Sequence, residues 1–470
     1  MVLKGLGGSS SGLPAKNAYI VLRRVYFDVI LKKGMKLLMK IVILTAGTFG
    51  DVKPNVALAV GLKKAGHDVR IVTSMDGKDY ITQHDIDYFS TSFSIKDLSS
   101  TNEAKRIMSA GDKTMNRFMD MKSYLNIFIE KLFQKGIEGC AGYDMIIPAG
   151  FGLHVGYHVG EALNIPVIPV LYQPQTMTSD LPLCFFPPLH LGYPLTGLYN
   201  KFSYELSDDF LTFALKGVVN KCRKSVGLSE IKHYKFHKTL REKHLPIIYG
   251  ISSLMLPKPS DYGKHLHFTG YFFLEEDKYY QPSQELEDFL KEGSKPVHIG
   301  FGSITMKNPD QLEYSILKAL EKCKRRAVIL TGWGGLKFDT KNDNIFVTQA
   351  LPHDWLFPRM AANVHHGGAG TVATSIRAGV PTITVPYTMD LPFFSRIAYE
   401  AGVAVKPIRP KNLTSDTLAA AIIKATTDKR LIYRAKVLGA KMMQEDGVGN
   451  AVAVINRYLS KKNFRTDYFS

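Results

Sequence analysis

The chain has 470 residues, enough for two domains that each bury a core. Its formal charge of +18 and pI of about 9.4 favour anionic partners (phosphorylated metabolites, anionic lipid headgroups or nucleic acid), and the sign alone does not choose among them. There is no apolar run of the roughly 18 residues a membrane span needs, no small-residue cleavage site of a secretory leader, and no metal-ligand spacing among Cys140, Cys184, Cys222 and Cys323, which read as reduced thiols of a cytoplasmic protein.

Residues 1–38 form an extension whose second part, AYIVLRRVYFDVILKKGMKLLMK, is basic and apolar. As a helix it gathers Arg23, Arg24 and Asp28 on one narrow face, as a helix lying in an anionic membrane surface does. A packing helix, or residues ahead of a natural start at Met39, are the other readings. From Met39 the chain reads MKIVILTAG, a buried strand, then a turn and the helix that starts at TFGDVKPNVALAVGLKKAG, then a second strand. YDMIIPAG and IPVIPVLYQP continue the parallel pattern, so residues 39–255 are expected to form one doubly wound α/β domain. Within it, residues 175–245 lose the pattern and carry a Pro- and aromatic-rich insert, followed by charged helical stretches rich in lysine, that reads as a binding wall. Residues 256–290 read as a linker region. A second α/β cycle runs over 291–445 through PVHIGFGSI, RAVILTGWGG and NVHHGGAGTVATSIRAG, and 446–470 reads as a C-terminal helix and tail that packs back on the first domain.

VHHGGAGT, residues 364–371, places glycines between a strand and a helix. There the first helical amides lack internal partners and carry the positive end of the dipole. Gly367, Gly368 and Gly370 clear side chains from those amides, which makes the turn an anion cradle. His365 and His366, adjacent near a strand end, point to opposite faces and do not share a metal. GFGS at 300–303 is a second glycine turn, with Ser303 as a donor to the same anion. Leu351 and Trp355 lie near a crevice where a base could stack, although Trp355 reads better as core. His154 and His158 have metal-compatible i, i+4 spacing but no third ligand, which favours a structural role. Asp51, in GTFGDVKP, is either a helix cap or a general base at the strand ends of the first domain.

The segment HDWLFPRMAANVHHGGAGTVATSIRAGVPTITVPYTMDLPFF is similar to the nucleotide-sugar signature of the UDP-glycosyltransferase superfamily, in its sterol glucosyltransferase and glycopeptide-antibiotic glycosyltransferase branch. GTFGDVKPNVALAVGLKKAGH, GFGS, GWGGL, LGYPLTGLYNKFSY and QEDGVGNAV follow the same branch in the same order, from about residue 39 to 458. The resemblance implies an α/β fold of GT-B type, two Rossmann-like domains facing across a cleft, and an inverting glycosyltransferase that moves a hexose, glucose by analogy, from a UDP-sugar to a hydroxyl of an apolar acceptor such as a sterol, a lipid or a polyaromatic compound. No cofactor or metal is implied, and no nucleic acid. Peripheral contact with an anionic membrane fits the extension.

By the same resemblance Asp51 is the base and His366 binds the pyrophosphate with the amides of Gly368, Ala369, Gly370 and Thr371. Gly50, Ser303, Trp333 and Leu351 complete the donor site, Leu351 through its backbone to the uracil. Asp390 holds sugar hydroxyls. Its usual glutamine neighbour is Leu391 here, and the ribose-binding glutamate of plant members is Thr374. Phe185, Phe186 and Tyr193 in the insert, with Tyr199, are expected to meet the acceptor. Two other readings stand beside this one: a catalytically silent ligand-binding protein of the same fold, suggested by Leu391, and a nicotinamide-dependent oxidoreductase with Asp76 on the ribose, which the missing third glycine of AGTFGD disfavours.

Overall fold

The computed structural model describes residues 38–94, 115–242, 245–275, 280–302, 308–332, 338, 342–387 and 389–460, without the side chains of 115–121 and 124. The basic extension, Ser303 and Trp333 lie outside the described residues.

The apolar run at Met39 becomes the central strand of the first sheet because both of its faces are covered: Ile41, Val42, Ile43 and Leu44 are all fully buried. This strand, β1 (Lys40–Leu44), is flanked by β2 (Asp68–Thr73) and β3 (Asp87–Ser90) on one side and β4 (Met145–Pro148) on the other, all parallel. A bridge from Ile146 to Val167 carries the sheet on to β5 (Val170–Leu171), β6 (Ile247–Tyr249) and β7 (Leu266–Phe268). The second sheet repeats this order. β8 (Val297–Gly300) lies between β9 (Ala327–Leu330), which leads to β10 (Ile345–Thr348), and β11 (Asn363–His365), which leads to β12 (Thr382–Thr384). In both sheets the direction of winding reverses beside the first strand, between β1 and β4 and between β8 and β11. Ligands of open α/β sheets bind at such switch points, beyond the carboxyl ends of the strands.

Five helices position the site: α1 (Phe49–Lys64), α2 (Met115–Cys140), α3 (Leu153–Leu163), α4 (Leu195–Ser225) and α5 (Ala369–Arg377), followed by α6 (Leu391–Glu400) and α7 (Gly447–Leu459) towards the end of the chain. The helical part of the insert is one helix, α4, which runs for 31 residues and starts earlier than expected, just after Pro194. The stretch 256–290 needs correction, since it is not a plain linker. β7 closes the first sheet, and the helix Gln284–Lys291 buries Leu286 against Val328, Leu330 and Trp355 of the second domain.

The chain finally crosses back. Gly447 sits where any Cβ would meet the Tyr271 carbonyl at 2.2 Å, and α7 lays Ala451, Val452, Val454, Ile455 and Leu459 on the core formed by Val52, Val56 and Leu62 of α1. Gly61 makes that approach possible, because a Cβ there would fall 2.2 Å from Val448. A second core spans the two domains, with Leu171, Leu183, Tyr204 and Tyr249 on one side and Val372, Phe393, Phe394 and Met442 on the other. Ile455 is fully buried, so Ile455→Ala should lower the unfolding free energy by about 2–4 kcal/mol. In urea denaturation followed by circular dichroism, an unchanged midpoint would mean that α7 is not part of the first domain's core.

Candidate active site

The first-domain side of the cleft is built by the turn from β1 into α1. Thr48 caps the helix, and Asp51, three residues on, folds back so that its Oδ2 accepts from the Thr48 amide at 2.8 Å and from the Thr48 hydroxyl at 3.2 Å. The carboxylate then occupies the place of a side chain at Gly47, where a Cβ would lie 2.2 Å from Oδ2 and φ is +150°. Only glycine fits there. The other oxygen, Oδ1, faces the β4–α3 turn, 3.7 Å from the position of a Cβ on Gly150, and no described residue bonds it. Below, Asn55 ties the turn together by donating to the Asp51 carbonyl at 2.7 Å and accepting from the Tyr172 hydroxyl at 2.9 Å. Asp51 is partly open to the cleft, yet the protein crowded around it desolvates the carboxylate and raises its pKa to about 6. The Thr48 hydrogen bonds oppose that rise, and the charge of Asp390 adds to it.

The opposite side comes from the strand ends of the second domain. Helix α5 begins at Ala369, two residues earlier than the sequence suggests, with Gly368 as its cap. Its first internal bond runs from the Val372 amide to the Gly368 carbonyl at 2.9 Å, which leaves the amides of Ala369, Gly370 and Thr371 at the open helix end. Nothing lies within 4 Å of a Cβ placed on Gly370. His366 stands over this end, its Nε2 2.7 Å from where a Gly368 Cβ would be and its ring 3.3 Å from that of Gly302. Its Nδ1 is buried without a hydrogen-bond partner. Burial lowers the His366 pKa to about 4, so the ring is neutral at pH 7 and offers one N–H. The cradle thus joins backbone amides to an orphaned imidazole nitrogen, a donor set suited to a phosphate. His365 turns away at a ring separation of 6.3 Å and accepts from the Gly367 amide at 3.0 Å. Among the described residues no cluster of three potential metal ligands occurs.

Asp390 links the two sides. It precedes α6, and its Oδ2 accepts from Gln173 Nε2 of the first domain at 2.5 Å. Burial raises its pKa, which the Gln173 bond moderates. The structure therefore brings Asp51, Asp390, His366 and the amides of 369–371 to one cleft. Gly50 is exposed in the first turn of α1, and Leu391 packs its backbone against the Gly367 turn, where a Cβ would lie 3.3 Å from the Leu391 carbonyl. Leu351 is half-buried above the Trp355 cluster. Trp355 itself is core, edge-on to Tyr280. Thr374 returns its hydroxyl to the Gly370 carbonyl at 2.9 Å.

The acceptor expectations divide. Phe186 is half-buried against the core that contains Phe393 and Phe394, and Phe185 lines a groove with it. Tyr193 needs correction: it is 101 % exposed, standing off the surface because the prolines around it lift the loop before α4 away from the core. Tyr199 binds the Pro187 carbonyl at 2.8 Å. His154 and His158 are engaged structurally, with the Tyr234 hydroxyl at 3.0 Å and with Arg223 at 2.9 Å. Asp76 accepts from the Ser94 hydroxyl at 2.7 Å. Residues beside the carboxylates that the sequence reading passed over are Phe49, Phe151 and Met389, all exposed at the cleft mouth, and Gln173. The two phenylalanines share a signal, an aromatic flanked by glycine in a strand-to-helix turn.

Over most of its length the chain is similar to known glycosyltransferases. The glycosyltransferase family 28 N-terminal domain matches residues 41–182, and the erythromycin biosynthesis protein CIII-like C-terminal domain matches 335–452. The sterol 3-beta-glucosyltransferase of Kluyveromyces lactis is 31 % identical over 452 residues, 93 % of this chain and 36 % of that protein. Its counterpart in Cryptococcus neoformans is 33 % identical over 449 residues, 90 % of this chain and 27 % of that protein. The chain spans about a third of the length of these curated relatives. Among solved structures, the kitacinnamycin glycosyltransferase superposes with a TM-score of 0.64 at 15 % identity, covering 90 % of this chain and 99 % of that one. VinC in complex with DTDP gives 0.59 at 18 %, covering 89 % and 99 %. At these identities the structures establish a shared fold of two facing Rossmann-like domains.

Because desolvation outweighs the charge of Asp390 at Asp51, Asp390→Asn should lower the Asp51 pKa below about 6 without returning it to 3.8. Carbon-detected NMR titration of the aspartate carboxyls measures both values. A wild-type Asp51 that titrates near 3.8 would contradict the packing described.

Proposed function

The chain belongs to the UDP-glycosyltransferase superfamily, in the branch of the sterol and antibiotic glycosyltransferases, and on that premise we propose that it transfers a hexose from a UDP-sugar to the hydroxyl of a sterol or similar apolar alcohol. The observation that carries the proposal is the opposition of Asp51, on one domain, to the His366 and amide cradle on the other, with Asp390 coupled to both sides through Gln173.

The chemistry follows from where these groups stand. A diphosphate in the cradle meets the amides of Gly370 and Thr371 and the His366 N–H, and these donors stabilise the charge that grows as the sugar departs. The acceptor hydroxyl enters from the first domain, past Phe49, Phe151 and Met389, and gives its proton to Asp51 Oδ1 while Oδ2 stays bound to Thr48. Attack from one domain on a leaving group held by the other is in line, so the anomeric centre inverts. Asp390 accepts from sugar hydroxyls, and Leu391 packs against the ring where a glutamine would hydrogen-bond. The sterol acceptor and the glucose enter here by analogy with the sterol 3-beta-glucosyltransferases. An acceptor of this class is lipid-soluble and would be met at a membrane surface, and among the described residues no helix is long and apolar enough to cross a membrane.

A base whose pKa is about 6 is mostly ionised at neutrality yet more basic than an ordinary aspartate, which suits proton abstraction. The raised pKa also means that the ionised Asp51 weakens the fold above about pH 6, a cost that disappears as pH falls towards 3.8. Asp51→Asn keeps the Thr48 bond, so stability at neutral pH should hold or rise while turnover falls by roughly 10²–10⁴. UDP release from UDP-glucose with a sterol acceptor measures the rate, and normal turnover would reduce Asp51 to a structural cap.

Donor binding is tested separately. His366→Ala should weaken UDP affinity about tenfold in calorimetry, one charge-assisted hydrogen bond's worth, and chelation of divalent metal should leave turnover unchanged. Activity abolished by chelator and restored by magnesium would move the charge stabilisation from the cradle to a metal. UDP binding without transfer to any sterol or alcohol would identify a silent ligand-binding protein instead.

A further inference from the structure

Helix α4 is apolar on two opposite faces, and only one of them meets the protein. The inner face buries Tyr204, Ala214, Leu215, Val218 and Val219 against the first-domain core. On the other side Leu195, Leu198, Phe202, Leu206 and Phe213 recur at helical spacing within an arc of about 80°, and each is 46–60 % exposed. This stripe is about 27 Å long. The loop that leads into the helix extends it with Phe185, Leu189, Leu191 and the fully exposed Tyr193. So long an apolar surface exceeds what scattered exposed residues give, and such a surface marks a docking site.

Charge selects the occupant. The one acidic residue within the stripe, Asp209, is neutralised by an ion pair with Lys235. Lys122 sets its ammonium 4.3 Å above the Phe213 ring. Beyond Phe213 the same face of α4 turns basic through Lys216 and Lys224, neither of which pairs with a carboxylate among the described residues. An apolar face that ends in lysines, with an exposed tyrosine at its other end, on a chain of formal charge +18, has the make-up of a helix that lies in the interface of an anionic bilayer.

We propose that the outer face of α4 and the 185–193 loop dock the protein on a phospholipid surface that contains anionic headgroups. The groove lined by Phe185, Phe186, Leu206 and Phe210 opens on this face, and Phe186 also packs against the core that spans the two domains. An apolar acceptor then has a path from the bilayer to the cleft. The path rests on the glycosyltransferase reading. The docking does not, since it is read from the exposed face and its charge.

The test uses the full chain and cosedimentation with vesicles of phosphatidylcholine, alone or mixed with phosphatidylserine. Wild type should pellet with the mixed vesicles. Leu198→Ser/Phe202→Ser/Phe213→Ser should lower the partition coefficient at least about tenfold, while UDP affinity and circular dichroism stay unchanged because all three side chains are exposed. Lys216→Glu/Lys224→Glu should weaken binding to the mixed vesicles only. Three results would overturn the proposal: no pelleting of wild type, pelleting of the triple variant equal to wild type, or a sedimentation-velocity dimer that the triple variant dissociates in the absence of lipid, which would make a second copy of the chain the occupant. Loss of transfer activity with vesicle binding intact would count against the glycosyltransferase reading alone.

Discussion

The turn from β1 into α1 holds the Asp51 carboxylate in a crowded, desolvated place at the cleft, and the proposed chemistry depends on that placement. Asp51 cannot be placed without Gly47, since its carboxylate fills the space of a side chain there. Asp390 cannot be placed without Gln173, which reaches it from the other domain at 2.5 Å. Burial, with a smaller contribution from the Asp390 charge, raises the Asp51 pKa to about 6, so that the carboxylate is mostly ionised at neutrality and more basic than an ordinary aspartate. The core that joins Leu171, Tyr204 and Tyr249 to Phe393 and Phe394 fixes the distance between the two carboxylates.

The second constraint is the close approach of backbones at the strand ends. Gly302 and Gly332 adopt positive φ, and a Cβ on Gly332 would come within 2.3 Å of the Gly302 carbonyl. Gly367, also at positive φ, would meet Ser395. These glycines bring His366 and the open end of α5 to the same small volume, so the cradle is formed by backbone geometry before any ligand arrives. That preorganisation is what makes amides and a neutral imidazole effective donors in a site sheltered from water.

Much of this was legible in the sequence because parallel strands buried on both faces read as continuous apolar runs, and here each run ends in a glycine turn: MKIVILTAG, PVHIGFG, RAVILTG. The run and the turn together locate the strand ends, hence the cleft. What escaped the sequence was tertiary. β7 is three residues in a polar, Pro-containing stretch, and its pairing with β6 has no local signature. The early start of α4 was hidden by the prolines before it and by two apolar faces that blur its period, and the full exposure of Tyr193 has no local signature. The choice between cap and base at Asp51 dissolves in three dimensions. The capping bonds use one oxygen and leave the other facing the cleft, so the local role and the catalytic one are compatible.

The account stands or falls on the ionisation of Asp51 during turnover. The pH dependence of kcat/KM for sugar transfer to an alcohol, measured on both sides of pH 6, reports the free enzyme's essential base. The structure predicts a rise of one proton's slope with a midpoint of about 6, and a lower midpoint in Asp390→Asn. A profile that is flat through this range would contradict Asp51 as the base, and a midpoint near 3.8 would contradict the burial that raises its pKa.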